Sequence, residues 1–277
     1  MQTVTALLEL RAAVAALPRP IGFVPTMGYL HAGHISLASR AKAECASVVA
    51  SIFVNPTQFG PNEDLAKYPR NLPRDLDLLA TAGVDLVWTP TPEVLYPPGF
   101  QTWVTVEGLT RGLEGEVRPG HFRGVTTIVA KLFNAVGPQK AYFGQKDAQQ
   151  AAVIRRMARD LDFPVEIAVC PTVREPDGLA MSSRNTYLSP QERAAATVLF
   201  RALSTAKATY EGGERDAESL RRAMRAVVEA EPLAKLQYVS CAEYDTLEEL
   251  HTVTGKALLS MAVYLGKTRL IDNFVIG

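Results

Sequence analysis

The chain has only three cysteines among 277 residues, no net charge and no apolar run approaching membrane-spanning length. Each scarcity removes a class of protein. Cys45, Cys170 and Cys241 are odd in number, far apart and without metal-ligand spacing. That argues against a disulfide framework and against zinc, so the protein is expected to hold no metal of its own, and the thiols read as buried or inert in a reducing compartment. The 29 basic and 29 acidic residues cancel, which argues against a nucleic-acid partner and leaves room only for a local basic groove. No membrane segment is expected, because a spanning helix needs about 20 consecutive apolar residues. Glu9 and Arg11 interrupt the leucine- and alanine-rich start, so no signal peptide is read there and the expected location is cytoplasmic. What is present is ordinary for a globular chain: 47% apolar and 21% charged residues, enough for a large domain or a main domain with a smaller second one.

Apolar runs alternate with helical patterns along the first two thirds of the chain. Thr5 to Leu17 reads as an amphipathic helix. Ile21 to Val24, Ser47 to Val54, Asp85 to Trp88, Lys140 to Phe143 and Val165 to Val169 read as strands. Between them Ala32 to Cys45, Pro73 to Ala82, Val125 to Val136 and Ala148 to Leu161 read as helices. Such alternation predicts an α/β fold, a parallel sheet covered on both faces, with ligands bound outside the carboxyl ends of its strands. Arg174 to Gly178 is a polar turn that reads as a linker, placing one domain at residues 1–174 and a second at 175–277. In the second, Ser189-Pro190-Gln191-Glu192 has the form of a helix start, and that helix is expected to reach Tyr210. A helix at Ala217 to Ala230 and strands at Leu236 to Tyr244, Ala257 to Tyr264 and Leu270 to Val275 follow, which predicts a small α+β domain.

Chemistry-bearing residues gather where the strands should end. After the first strand comes Pro25-Thr26-Met27-Gly28-Tyr29-Leu30-His31-Ala32-Gly33-His34. His31 and His34 fall at a helix N-terminus, where free N–H groups and the helix dipole favour a phosphate; the alternative is a solvated pair on a helix face. After the second strand, Asn55-Pro56-Thr57-Gln58 offers amide donors for a carboxylate or hydroxyl, or else a plain turn. Gly144-Gln145-Lys146-Asp147 joins a later strand to a helix that Asp147 is placed to cap, with Gln149 and Gln150 in its first turn. A lysine beside a helix start is unfavourable unless an anion lies between them, so Lys146 is a second phosphate candidate, or a surface lysine. Met181-Ser182-Ser183-Arg184 supplies hydroxyls and an arginine suited to triphosphate oxygens, or a polar interdomain loop. The stretch Glu114 to Arg123 is either a solvated loop or one whose arginines meet an acidic substrate, with His121 read as structural.

Taken together and in order, Pro25-Thr26-Met27-Gly28 with His31-Ala32-Gly33-His34, Phe53 to Phe59, Phe143-Gly144-Gln145-Lys146-Asp147 and Met181-Ser182-Ser183-Arg184-Asn185 resemble the pantoate–β-alanine ligases. These belong to the nucleotidyltransferases with a His-x-Gly-His signature, related in fold to class I aminoacyl-tRNA synthetases. Gln145 departs from the glutamate that many members carry. The resemblance implies a Rossmann-like catalytic domain with a smaller α+β lid. It implies that (R)-pantoate and β-alanine are joined at the expense of ATP, with Mg²⁺ accompanying the nucleotide, through a pantoyl adenylate. By the same resemblance His31, His34 and Lys146 are the catalytic residues. ATP meets Met27, Gly28, Tyr29, Leu30, Ala32, Gly33, Gly144, Gln145, Asp147, Val173, Met181, Ser182, Ser183 and Arg184, and Asn55, Gln58 and Gln150 meet pantoate and the amine. It further implies a homodimer. Two alternatives stay open at this level: a nucleotidyltransferase acting on another acid, and a non-catalytic ATP-binding or RNA-binding descendant of such a domain.

Overall fold

The computed structural model describes residues 1–61 and 63–277. Two compact units emerge: residues 1–144 with 149–171, and residues 145–148 with 172–277.

In the first unit the elements run β1 (Gln2–Val4), α1 (Leu7–Ala15), β2 (Ile21–Thr26), α2 (Ala32–Glu44), β3 (Ser47–Ile52), α3 (Leu72–Thr81), β4 (Leu86–Trp88), α4 (Pro92–Leu95), α5 (Glu114–Val117), α6 (His121–Val136), β5 (Lys140–Gly144), α7 (Ala148–Asp160) and β6 (Glu166–Cys170). The six strands form one sheet in the order β1-β4-β3-β2-β5-β6, and every pairing is parallel. A parallel sheet must be covered on both faces, and the side-chain period of two divides its residues between two cores. On β2, Phe23 joins one core and Val24 the other; on β3, Val49 opposes Val48 and Ala50; on β5, Phe143 opposes Tyr142. The expected Rossmann-like sheet is therefore present, with one strand more than the sequence pattern suggested. Gln2–Val4 pairs with Leu86–Trp88, but three residues at the chain start are too few to show a period.

Chain order runs outward from β2 through β3 to β4 on one side and from β5 to β6 on the other, so the reversal of winding falls between β2 and β5. Their carboxyl ends carry Thr26 and Gly144, and the crevice outside such a reversal is where open α/β sheets bind ligands. Pro25 is tolerated in this central strand because β5 pairs with β2 only through Gly22 and Phe23, so the ladder on that side has ended before the missing N–H is reached.

The second unit packs α9 (Val198–Glu211) and α10 (Ala217–Glu229), preceded by α8 (Pro190–Ala195), on an antiparallel sheet β7-β8-β9. The strands are β7 (Ala234–Glu243), β8 (Ala257–Leu265) and β9 (Thr268–Ile276). Leu199, Leu203, Leu220, Met224 and Val228 meet Leu259, Met261 and Val263 in its core. The capping box at Ser189 and Glu192 forms as expected, but the helix expected from Ser189 to Tyr210 is two helices. The break falls at Ala196 and Thr197.

Gly22 shows how tightly α2 sits on the sheet. A Cβ there would lie 3.0 Å from Cys45 Sγ, 3.1 Å from the Tyr142 ring and 3.2 Å from Ala41 Cβ. Gly22→Val is expected to cost about 1–3 kcal/mol through overpacking, read as a lower midpoint in chemical denaturation with an unchanged slope.

Candidate active site

The loop between β2 and α2 turns on two consecutive left-handed residues, Gly28 with φ 83° and Tyr29 with φ 50°. For a tyrosine that conformation is strained, and Asp75 in the first turn of α3 supplies the compensation. Its carboxylate is buried and accepts from Tyr29 N at 2.6 Å and Leu30 N at 2.8 Å. Arg74 donates to the Leu30 carbonyl at 2.9 Å and lies over the Tyr29 ring. Nothing in the sequence singled out Asp75. Its partners lie 45 and 46 residues away, and an acidic residue in a first helical turn has a sufficient local explanation.

This loop delivers His31 to the N-cap of α2. His31 Nδ1 accepts from Gly33 N at 3.1 Å, and His34 Nδ1 accepts from His31 N at 3.3 Å. The two histidines form a reciprocal capping box, with ring centroids 4.1 Å apart. In a neutral imidazole one nitrogen accepts and the other carries the proton. With Nδ1 accepting on both rings, both protons belong on Nε2. The histidine pair therefore combines two ring donors with the positive end of a helix, an arrangement that favours an anion.

Beside it, the turn at Pro56–Gln58 is built around Asn55, which is 1% exposed. Asn55 Oδ1 accepts from Thr57 N, Thr57 Oγ1 and Tyr96 OH, the last two at 2.9 Å. Asn55 Nδ2 donates to Gln58 Oε1 at 3.1 Å and to the Gly124 carbonyl at 3.2 Å. Gln58 Nε2 in turn donates to Met27 Sδ at 3.0 Å. Met27, Asn55 and Gln58 thus lie together, and Asn55 stands behind Gln58 as its support. Burial pushes the Tyr96 hydroxyl pKa up, which keeps it a donor to this hub.

Residues 114–123 are neither a solvated loop nor a free arginine surface. Arg118 pairs with Glu63, its Nε 2.9 Å from Oε1, and Arg123 lies over the Trp103 ring at 4.3 Å. His121 Nδ1 donates to the Gln58 carbonyl at 2.8 Å, leaving Nε2 to accept from Arg118 at 3.2 Å. Burial, then the Arg118 charge, lowers the His121 pKa to about 4, so this histidine is a neutral prop for the Gln58 turn. Gln149 is buried and spent on Glu114 N and on the carbonyls of Leu109 and Gly112. Gln150 follows it in the first turn of α7, half-buried.

Within the second unit, Gln145–Asp147 forms a 3-10 turn that runs into α7, so Asp147 closes that turn ahead of the helix, with one oxygen 3.6 Å from Lys146 Nζ. Met181 N donates to the Val173 carbonyl at 3.0 Å, and Arg174 bridges to Ala180. Ser182 then caps a 3-10 turn over Ser183–Tyr187 by accepting from Arg184 N. Lys146, Ser182, Asn185 and Asp272 line one cleft of this unit. The structure thereby brings Lys146 and the Ser182 loop together, two segments well separated in the chain.

A helix start at the reversal point of a parallel sheet is a setting that favours a phosphate-bearing ligand. Comparison with known proteins narrows the class. The family described as pantoate-beta-alanine ligase matches residues 1–275. The pantothenate synthetase of Roseiflexus sp. (strain RS-1) is 61% identical over 276 residues, covering 100% of this chain and 99% of the relative. The crystal structure of pantothenate synthetase from Thermus thermophilus superposes with a TM-score of 0.95 at 52% identity, covering 99% of both chains. That of the pantoate-beta-alanine ligase from Francisella tularensis, complexed with beta-gamma ATP and beta-alanine, gives 0.82 at 36% identity, covering 99% of this chain and 97% of that one. The chain belongs to the pantoate-beta-alanine ligase family.

The depressed His121 pKa links protonation to folding. Between about pH 4 and 6.5 the unfolded chain binds a proton at this residue and the folded protein does not, so stability rises with pH across that window and falls as the solution is acidified. Denaturant unfolding at several pH values should show a wild-type gain of up to about 3 kcal/mol over that range that His121→Asn lacks.

Proposed function

We propose that this chain carries out the family's ligation of (R)-pantoate to β-alanine in two steps, with the residues named above in the following roles. In the first step a pantoate carboxylate oxygen bonds to the α-phosphorus of ATP, the bond from that phosphorus to the bridging oxygen breaks, and pyrophosphate leaves pantoyl adenylate. In the second, the neutral amine of β-alanine attacks the activated carbonyl, AMP departs, a proton is lost from nitrogen and pantothenate is formed. No serine or cysteine nucleophile is needed, since adenylation has already made the leaving group. Cys45, Cys170 and Cys241 are in any case free and buried.

The first step brings two anions together while charge grows on phosphoryl oxygens, so placed donors matter most. The observation that carries the reading is the histidine pair. Both Nδ1 atoms accept from backbone N–H groups, which puts the proton of each neutral ring on Nε2, at the positive end of a helix. His34, one turn inside the helix, is assigned to the departing pyrophosphate, with His31 on the phosphates beside it. The segment Met27 to His34 is assigned to ATP as a whole, most of its backbone N–H groups being held by Thr26, Asp75 and the two histidines. Lys146 is assigned to phosphate oxygens together with Ser182, Ser183 and Arg184, while Gln145, Asp147 and Met181 shape their segments and the backbone at Gly144 and Val173 meets adenosine. Gln58 and Gln150 orient pantoate, with Gln58 near the incoming amine and Asn55 holding Gln58 in place. The larger first unit, residues 1–144 with 149–171, is assigned as the catalytic domain and the smaller second one, residues 145–148 with 172–277, as its lid.

Among the described residues no three His, Cys, Asp or Glu side chains are grouped to hold a metal ion. Mg²⁺ is proposed to accompany ATP, held mainly by phosphate oxygens and water as is its usual habit with nucleotides; when bound it would neutralise phosphate charge. No helix among the described residues is long and apolar enough to cross a membrane. A homodimer formed through the N-terminal domain is proposed from the resemblance, and a cytoplasmic location from the sequence pattern.

His34→Ala and Lys146→Ala are each expected to lower pantoate-dependent ATP–pyrophosphate exchange by on the order of 10²–10³, the scale for losing one preorganised donor. Near-normal exchange in both would overturn the assignments. A panel of other carboxylic acids in the same assay tests the substrate, with pantoate expected to stand alone.

A further inference from the structure

The C-terminal strand β9 carries two adjacent buried polar residues that the reading so far leaves unused. Asp272 is 2% exposed and Asn273 is 4% exposed. β9 is an edge strand, paired only with β8 through registers such as Met261 with Asp272 and Ser260 with Asn273, so its other edge is free to meet non-sheet segments.

Asn273 uses its whole side chain on the Gln145-Lys146 turn. Its Nδ2 donates to the Gln145 carbonyl and to the Lys146 carbonyl, both at 2.9 Å, and its Oδ1 accepts from Gln145 Nε2 at 3.0 Å. An asparagine has two amide hydrogens to give, and both go to this turn. Asp272 serves the other segment. Its carboxylate takes a bidentate pair from Arg174, at 2.6 and 2.9 Å, and one oxygen also accepts from Asn273 N at 2.8 Å. Arg174 is fixed further by the Gly178 carbonyl at 3.0 Å and by the Phe200 and Phe274 rings, 5.1 and 4.9 Å from its guanidinium carbon. Arg174 bridges to Ala180 and Val173 to Met181, so the position of Arg174 sets the strand of chain that leads into Ser182.

We propose that Asp272 and Asn273 are positioning residues for adenylation: Asn273 sets the Lys146 turn, Asp272 sets the loop that presents Ser182 through Arg184, and together they fix the spacing of the two segments. The inference rests on the assignment of Lys146 and Ser182 to ATP. A lysine is a flexible point charge, so its value to a transition state depends on where its backbone is held. A displacement of about 1 Å costs as much as 10²-fold in rate.

The test is a double-mutant cycle read by pantoate-dependent ATP–pyrophosphate exchange on the full chain. Asn273→Ala is expected to lower exchange by on the order of 10- to 10²-fold with a raised KM for ATP and an unmoved KM for pantoate. In a Lys146→Ala background the same substitution should do far less, because the group it positions is gone. Asp272→Asn with Ser182→Ala forms the second cycle, with the same expectation. Should Asn273→Ala fail to fold, as judged by thermal unfolding, Asn273→Ser keeps one donor and is expected to fall between wild type and the Lys146→Ala enzyme. Equal loss in both backgrounds, or parallel changes in the two KM values, would mean that Asn273 is merely structural and would overturn the proposal. Normal exchange in Lys146→Ala alone would instead sink the assignment of Lys146, and the inference with it.

Discussion

A helix that begins at the end of a buried strand presents several N–H groups with no partner of their own, and the first unit is arranged around meeting that demand at α2. Two imidazoles meet part of it from within the helix start, each taking a backbone N–H on Nδ1. The choice of histidine over the usual serine or aspartate caps matters chemically. A hydroxyl or carboxylate would satisfy the backbone equally well, but a carboxylate there would disfavour an anion, whereas a neutral imidazole that accepts on Nδ1 carries its proton on Nε2. The strained turn at Gly28 and Tyr29, with the buried Asp75 that holds it, serves to bring the chain into that cap at the right angle.

The neighbouring amide cluster follows a related logic. The backbone and the side chain of Gln58 are both constrained. The Gln58 carbonyl is held by neutral His121, and its Oε1 by Asn55, whose remaining polar atoms go to Thr57, Tyr96 and Gly124. Partly satisfied buried polar networks are costly, whereas fully connected ones define a single geometry. Arg118 completes the series by occupying His121 Nε2 while its own charge is met by Glu63.

How far these arrangements were legible in the sequence depends on the range of the interactions. The β2, β5 and β6 strands, the helices α2, α7 and α10, and the capping box at Ser189 all follow from patterns contained within about a dozen residues, and they lie close to where they were expected. The break between α8 and α9 at Ala196 and Thr197 is not legible in the sequence, because alanine and threonine are both found in unbroken helices. The first turn of α6, from His121, lies ahead of the helix expected at Val125 to Val136, and Gly124 inside it weakens the local helical pattern. At the site, His31, His34, Gln58 and Lys146 carried visible chemistry at strand ends. Asp75 and Asn273 did not, since each acts on backbone or side chains brought to it only by the fold.

The C-terminal third shows most sharply why such residues escape. Read alone, it is a small α+β unit whose strands supply a core and little else. Yet the turn that carries Lys146, from the middle of the chain, belongs to the same compact unit as β9, and its two carbonyls are held by Asn273 from far along the chain. A buried asparagine on an edge strand has to find partners for its amide hydrogens and its carbonyl oxygen or be destabilising. That requirement ties its identity to the turn it holds more tightly than strand propensity could. The information that positions a reactive side chain is therefore spread across distant segments, in residues whose own chemistry is ordinary and whose consequence is geometric.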